Sequence, residues 1–236
     1  MHRTLTAGLI VAAAITTNAA FTALGTIFDY PDVLTQPVDE VLAAFRASQG
    51  PVVVWFTVMA LSAALFAPIA VGVGRLSTRR SMALAVPVGI AAAAVQVIGL
   101  LRWPLLVPGY AADAASPDPV VATAARESFA TAHLLLGNVV GETLGYTFTA
   151  AWTVLVLAAI GKRLAGRWFT VTGVTAAVLI LGGVLSPLDL PGVDTANFAG
   201  YVLWSAWLLA LAVLILRERV PSRPVAPVAR LTDARS

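Results

Sequence analysis

The sequence contains no cysteine and only two histidines among its 236 residues. Without cysteine there are no disulfide bonds, no thiolate nucleophile and no cysteine-ligated metal. Because His2 lies next to the first residue, His133 is the only histidine deep in the chain. This excludes a haem b held by two histidines and the His-Glu-x-x-His zinc motif. A glycine-rich phosphate loop and the Gly-x-Ser-x-Gly nucleophile motif are also missing. We therefore expect neither a metal ion nor a cofactor.

Charged residues are scarce, at 11% of the sequence against 59% hydrophobic residues, and the mean hydropathy is +0.87. A soluble domain carries about a quarter charged residues, so this composition predicts an integral membrane protein whose main partner is the lipid bilayer. The net charge of +3 does not indicate a nucleic-acid partner, because the basic residues are divided among four segments that flank apolar runs.

Six apolar runs are long enough to cross a bilayer, which takes about 20 residues. They cover residues 5–27, 52–74, 82–101, 137–160, 168–187 and 197–216. The first has features of a secretory signal, since Arg3 precedes it and small residues surround Asn18, but it is longer than the usual signal core. We predict an all-α bundle of six membrane helices, with residues 1–217 as one domain and residues 218–236 as a disordered cytoplasmic tail.

The charges are divided between the two sets of helix ends. Twelve of the fifteen basic residues lie at the ends that include Arg3 and the loop at residues 75–80, and ten of the twelve acidic residues lie at the opposite ends. Since Lys and Arg near membrane helices remain cytoplasmic, both termini are predicted in the cytoplasm, in the inner (plasma) membrane of a bacterium. Arg46, Arg102 and Arg126 depart from this division, and partner carboxylates are the simplest explanation for them.

Short interfacial helices are predicted in the outer loops. Pro37, Asp39 and Glu40 suit the first turn of a helix, and apolar residues recur at helical spacing from Val38 to Phe45. In the next outer loop, a Pro-Asp-Pro sequence at residues 117–119 precedes an amphipathic segment at residues 120–136, which leads into the fourth run.

The polar residues of the apolar runs fall in one layer. At a rise of about 1.5 Å per residue, Glu142 lies about 30 Å from Lys162, and Arg102, Asp189 and Asn197 come out at similar heights. Asn18 and Gln96 lie somewhat deeper, about 21 to 23 Å from the cytoplasmic side. Embedded polar residues usually face a bundle interior or a wet cavity, so we expect a polar vestibule that opens outward above a dry inner half.

The segment at residues 137–146 carries two stripes on one helix. Gly137, Gly141 and Gly145 recur every four residues, which favours close helix packing, and Asn138, Glu142 and Tyr146 recur beside them. Glu142 is either a structural partner for Arg102 or an acid–base group in a desolvated site. Nine residues separate it from His133, which places the two on opposite sides of an ideal α-helix unless a kink intervenes.

Aromatic residues form one face of the last run. Tyr201, Trp204 and Trp207 lie three residues apart. They are either packing residues or the wall of a site for an apolar or cationic ligand.

Several short sequences resemble a known family. They are Phe-Asp-Tyr-Pro at residues 28–31, Leu-Arg-Trp-Pro at 101–104, His133, Gly-Glu-Thr-Leu-Gly-Tyr-Thr-Phe-Thr at 141–149 and Asn-Phe-Ala-Gly-Tyr-Val-Leu-Trp at 197–204. Together they are similar to landmarks of domain of unknown function 4386, a family of bacterial multi-pass membrane proteins. The resemblance covers all but the tail and implies a single six-helix domain, but it assigns no activity.

We consider three functions. The first is a polar pocket that binds or transforms a small lipophilic molecule, such as a lipid or an isoprenoid. Its candidate catalytic residues are Glu142, Asp29 and His133, and its candidate ligand-binding residues are Arg102, Asn138, Tyr146, Gln96, Asn18 and Trp204. The second is a non-enzymatic scaffold, sensor or accessory subunit that binds another membrane protein or a second copy through the glycine stripe and the acidic loops. The third, a transporter or channel, is disfavoured by the dry inner half.

The charge division makes the orientation testable. A fluorescent protein fused after Arg217 should fluoresce, and alkaline phosphatase at the same site should be inactive, because that end is predicted to be cytoplasmic. Phosphatase inserted at residues 114–118 should be active. The reverse pattern at both sites would contradict the assigned orientation.

Overall fold

The computed structural model describes residues 3–161, 164, 166–188 and 190–217, and the secondary structure of this part is entirely helical. Six helical segments are long and apolar enough to cross a membrane, which confirms the six-helix architecture. They are span 1 (Arg3–Phe28), span 2 (Gln49–Gly74), span 3 (Arg80–Asp113), span 4 (Pro119–Gly161), span 5 (Gly166–Leu188) and span 6 (Val193–Arg217). Lys162, Asp189 and the tail at residues 218–236 lie outside the described residues, so the expectations for them stay predictions.

The six spans close into a ring. Each span packs against the next one in the sequence, and span 6 returns against span 1. The N-terminus of span 1, the turn that holds Arg75 and Arg79, and Arg217 lie at one end of the bundle, which we call the basic end. The opposite end, with Asp29, Asp118 and Asp194, is the acidic end.

Proline divides two of the spans into shorter helices. Span 2 consists of Gln49–Ala64 and Phe66–Gly74, and Pro68 lies two residues after the start of the second helix. Span 3 consists of Arg80–Leu105 and Val107–Asp113. Proline has no N–H to donate to the carbonyl four residues earlier, so Pro68 and Pro108 each remove one α-helical bond next to these breaks. Pro87, in contrast, lies inside Arg80–Leu105 without ending that helix.

The helices predicted in the outer loops are present. Val38–Ala47 buries Val41, Leu42 and Phe45. Pro119–Ala132 begins after Asp118, whose carboxylate accepts a hydrogen bond from the Val120 backbone N–H at 2.8 Å. This second helix is the first part of span 4, so span 4 is longer than the apolar run at residues 137–160.

Two apolar clusters fill the bundle. The cluster at the basic end includes Phe66, Trp152, Phe169 and Trp207 and draws on all six spans. The cluster at the acidic end includes Phe28, Phe45, Phe56 and Trp103, and none of its buried members comes from residues 133–217. Residues 133–144 of span 4 and the acidic-end parts of spans 5 and 6 therefore contribute no buried residue to either apolar cluster.

The glycine stripe of span 4 packs against span 3. Each glycine faces one residue there: Gly137 faces Arg102, Gly141 faces Gly99 and Gly145 faces Gln96. A Cβ built on Gly99 would lie 2.6 Å from the Gly141 Cα, so the two backbones touch. The close helix packing predicted for this stripe is confirmed, and its partner is a helix of the same chain.

Replacing Gly99 by alanine should destabilise the protein, because the added methyl group meets backbone that cannot rotate away. Overpacking of this kind costs about 1–3 kcal/mol, so the thermal midpoint in detergent should fall by several degrees. The control is Gly182→Ala in span 5, where a Cβ meets no atom within 4 Å. That change should be neutral or mildly stabilising, and equal midpoints for the two variants would contradict the packing argument.

Candidate functional site

Arg102 is a buried cation with an incomplete set of partners. Its residue is 5% exposed. Nη1 donates a hydrogen bond to the Gly99 carbonyl at 2.6 Å, and Nη2 lies 3.4 Å from Nδ1 of His133. Nε is buried and has no hydrogen-bond partner in the described part of the chain. A Cβ on Gly137 would lie 2.9 Å from the guanidinium carbon, so the side chain occupies space that glycine leaves free.

Glu142 does not pair directly with Arg102. Within the described residues the two side chains form no ion pair at 4.0 Å or less, which corrects the structural pairing considered from the sequence. The physical reason is that Nη1 and Nη2 are already directed at Gly99 and His133. The carboxylate still lies within electrostatic range of the guanidinium.

The other two basic residues of the acidic end differ from each other. Arg126 forms an ion pair with Asp39, as predicted. Arg46 donates from Nη1 to the Ala111 carbonyl at 2.9 Å, in the last turn of a helix where carbonyls lack intrahelical partners. A carboxylate partner was therefore the right expectation for Arg126 and the wrong one for Arg46 and Arg102.

Residues 133–144 form a π-helix, not an α-helix. Its i→i+5 bonding gives more residues per turn than the bonding of an α-helix. The opposite placement of His133 and Glu142, which was expected for one unbroken α-helix, therefore does not apply here, and both residues lie within electrostatic range of Arg102. Single π-turns are common at functional sites, and this one extends over twelve residues.

Glu142 is partly buried and has no hydrogen bond or ion pair within the described residues. Tyr30, Tyr146 and Tyr201 lie within electrostatic range of its carboxylate. The ring of Tyr146 lies 5.8 Å from that of Tyr201, which in turn lies 6.3 Å from Trp204. We call Arg102, Glu142 and the three tyrosines the Glu142 cluster.

A glycine in span 5 makes room for this arrangement. A Cβ on Gly183 would lie 2.8 Å from Cε2 of Tyr146 and would also meet the Asn197 amide. Asn197 donates a hydrogen bond to the Ile180 carbonyl at 2.8 Å. This bond fixes span 6 against span 5 at the level of the cluster.

Gln96 and Trp204 belong to a hydrogen-bonded layer nearer the basic end. Gln96 donates to Thr149 Oγ1 at 3.0 Å, and the Trp204 indole donates to Thr153 Oγ1 at 2.8 Å. Both threonines are fully buried. Two of the predicted ligand-binding residues, Gln96 and Trp204, therefore form hydrogen bonds to threonines of span 4.

The remaining candidates are placed differently. His133 contacts Arg102 and stacks on Phe129, and Asn138 is partly buried on the same π-helix. Asn18 is exposed and links span 1 to span 6 through Ser205 Oγ at 3.4 Å. Asp29 is exposed on a turn with φ of 53°. The structure therefore brings Arg102, His133, Glu142 and Tyr146 near one another and leaves Asn18 and Asp29 at separate places.

Two shallow depressions lie on the acidic-end surface. One has a volume of about 500 Å³ and is lined by residues that include Asp29, Glu40 and Ser48, and the other, of about 420 Å³, is lined by Pro119 and Glu127 among others. The Glu142 cluster lines neither of them. No group of three or more His, Asp or Glu side chains in the described part is arranged to hold a metal ion.

Tyr30 is the cluster residue that the sequence did not single out as a candidate. It lies in the turn after span 1, outside the spans, and burial raises the pKa of its phenol to about 12. The negative charge of Glu142 also raises this pKa, and the positive charge of Arg102 lowers it. Its place in the Phe-Asp-Tyr-Pro sequence was the one feature that pointed to it.

The pKa of Tyr30 gives a direct test of the cluster. Ultraviolet titration, with Tyr30→Phe subtracted, should show its ionisation near pH 12 in the folded protein and near pH 10 after unfolding. Stability should therefore fall between these values as pH rises, because only the unfolded state loses the proton there. Glu142→Gln should lower the folded pKa, since it removes a nearby negative charge. An unchanged value in Glu142→Gln would contradict the proximity of the two groups.

Comparison with known proteins agrees with this architecture. The family model for the domain of unknown function DUF4386 matches residues 5–220. No match was found among curated proteins or among solved structures. Since the matched segment includes all six spans, the chain belongs to the DUF4386 family.

Proposed function

We propose that this protein binds the polar end of a small lipophilic molecule at the Glu142 cluster, on the extracytoplasmic side of a bacterial plasma membrane. The observation that carries the proposal is the unpaired state of Glu142. This residue belongs to a membrane-spanning segment and is partly buried, and its carboxylate has no hydrogen bond or ion pair to the described residues. Embedded acids of this kind are expensive and usually serve a ligand, an ion or a proton path.

A bound polar group would remove an energetic penalty. An acceptor or donor left unsatisfied in a buried position costs about 1–3 kcal/mol, and more when it is charged. The oxygens of Glu142 are without partners in the part of the chain that the structure describes, and the side chain is partly buried, so the carboxylate bears part of this penalty. A ligand that donates to Glu142 would satisfy the carboxylate directly.

The cluster also contains the groups that acid–base chemistry requires. Glu142 is the group that would accept or donate a proton. Arg102, held by Gly99 and His133, supplies a fixed positive charge close to it. In this proposal Arg102 and His133 are positioning residues, because neither is open to a ligand in the observed arrangement.

Transport is supported less well than binding. The basic-end half of the bundle is filled by a packed aromatic group in which Trp152, Phe169 and Trp207 are at most 1% exposed. Phe169 and Trp207 stack with ring centroids 4.9 Å apart. A hydrophilic substrate crossing the bundle would have to displace these rings.

A scaffold, sensor or accessory subunit remains the alternative. It was expected to bind its partner through the glycine stripe and the acidic loops, and the first of these surfaces is already occupied. The glycine stripe that would have served a partner helix already packs against span 3. A membrane-protein partner or a second copy would therefore bind through other surfaces, such as the acidic loops.

Co-purification tests the proposal. Wild-type protein and Glu142→Gln should be purified in mild detergent, and the extracted lipophilic molecules compared by mass spectrometry. We expect a species that is enriched in the wild type and reduced about tenfold or more in Glu142→Gln, since a hydrogen bond to a charged group is worth about 1.5–3 kcal/mol.

Glu127→Gln is the matched control, because Glu127 is an exposed acid of an outer helix, and it should behave like the wild type. Identical extracts from all three proteins would count against a ligand at Glu142. For the enzymatic form of the proposal, unchanged membrane-lipid profiles in both a gene deletion and Glu142→Gln would exclude a role in lipid conversion.

A further inference from the structure

We infer that the polar end of the ligand is an amine or ammonium group, and not a phosphate or a carboxylate. The inference rests on the proposed binding at the Glu142 cluster and names the chemical class of the ligand. It follows from which charged atoms of the cluster are accessible and which are already engaged.

The guanidinium of Arg102 would be the expected binding group for an anion, but it is not accessible to a ligand. Both terminal nitrogens of its guanidinium are directed at Gly99 and His133. Nε has no accessible surface, and Gly137 packs against the guanidinium from span 4. Phosphates and carboxylates bind arginine through two parallel N–H donors. Because the whole residue is only 5% exposed, an anion could reach such a pair only by opening the packing around the guanidinium.

The carboxylate of Glu142, in contrast, is accessible to a ligand. Its side chain is only partly buried, and no donor among the described residues reaches its oxygens. A second carboxylate, that of the exposed Asp194, lies within electrostatic range of it. A carboxylate can only accept hydrogen bonds, so the complementary ligand group is a donor, and a positively charged donor is favoured most.

The aromatic surroundings favour the same class. Cations are attracted to the faces of tyrosine and tryptophan rings within about 6 Å. Tyr30, Tyr146 and Tyr201 lie within electrostatic range of Glu142, and Trp204 lies beside Tyr201 with ring centroids 6.3 Å apart. Aromatic rings near a carboxylate suit an ammonium group better than an anion.

A path for the apolar part of the ligand leads from the cluster towards lipid. Phe21 packs edge-to-face on Tyr30 at 5.7 Å and stacks with Phe198 at the same distance. Phe198 is 52% exposed on the outer surface of span 6. An alkyl chain attached to the amine would lie along these rings, between spans 1 and 6.

Two sources could supply such a group. One is the amine headgroup of a phospholipid such as phosphatidylethanolamine, and the other is a free lipophilic amine. Both present a cationic donor on an apolar chain, and they differ in whether the membrane itself provides the ligand.

The test compares three probes with the same alkyl chain: dodecylamine, dodecanoate and dodecyl phosphate. Full-length protein is placed in phosphatidylglycerol nanodiscs, which lack amine headgroups, and binding is measured by calorimetry with empty nanodiscs subtracted. We expect saturable binding of dodecylamine, about tenfold or more tighter than that of either anion. Glu142→Gln should weaken it by a similar factor, and Glu127→Gln by less than about twofold.

The possible outcomes separate this inference from the proposed function. Tighter binding of either anion, lost in Glu142→Gln, would overturn the amine class and leave the binding site in place. Absence of Glu142-dependent binding for all three probes would contradict both. If Glu142→Gln does not fold, the order of the affinities of the wild type for the three probes decides the chemical class of the ligand. Tyr146→Leu then tests whether the tyrosines of the cluster contribute to binding.

A last comparison assigns the source. If phosphatidylethanolamine in the nanodiscs weakens dodecylamine binding by competition, a lipid headgroup is the ligand. If the affinity for dodecylamine is unchanged, a free lipophilic amine is the ligand. Either result supports the amine class.

Discussion

The arrangement of the acidic end depends on one contact, the backbone approach between Gly99 of span 3 and Gly141 of span 4. Only glycine allows two helices to come this close, because any Cβ would enter the neighbouring backbone. The approach fixes the register of the antiparallel spans, with Gly137 against Arg102 on one side and Gly145 against Gln96 on the other. Arg102 follows Gly99 by three residues and Glu142 follows Gly141 directly, so this crossing places both near each other.

The crossing also explains why a guanidinium can be buried here. Gly137 leaves the space that Arg102 fills, and the π-helix at residues 133–144 brings His133 to its terminal nitrogen. The terminal nitrogens of Arg102 contact Gly99 and His133 and not Glu142, although Glu142 lies within electrostatic range. The cluster thus holds a buried cation and a carboxylate that has no partner among the described residues, which differs from a structural salt bridge.

Several features were predictable because they depend on short stretches of sequence. The six spans follow from runs of about 20 apolar residues, and the helix at Val38–Ala47 follows from proline, acids and apolar spacing. The glycine stripe predicted a close helix contact. Other expectations failed because they assumed regular geometry or the commonest partner. Residues 133–144 form a π-helix, so the α-helical placement of His133 and Glu142 does not apply, and backbone carbonyls, not carboxylates, received the side chains of Arg46 and Arg102.

The sequence by itself determined that this is a six-span membrane protein with its polar residues in one layer, since hydrophobicity and helix length are properties of single segments. Tertiary structure decided which of those polar residues meet. It placed Tyr30, from a turn, within electrostatic range of Glu142, from a π-helix, and left Asn18 and Asp29 elsewhere. The reason is that helix rotation and the pairing of spans arise from side-chain packing between distant parts of the chain.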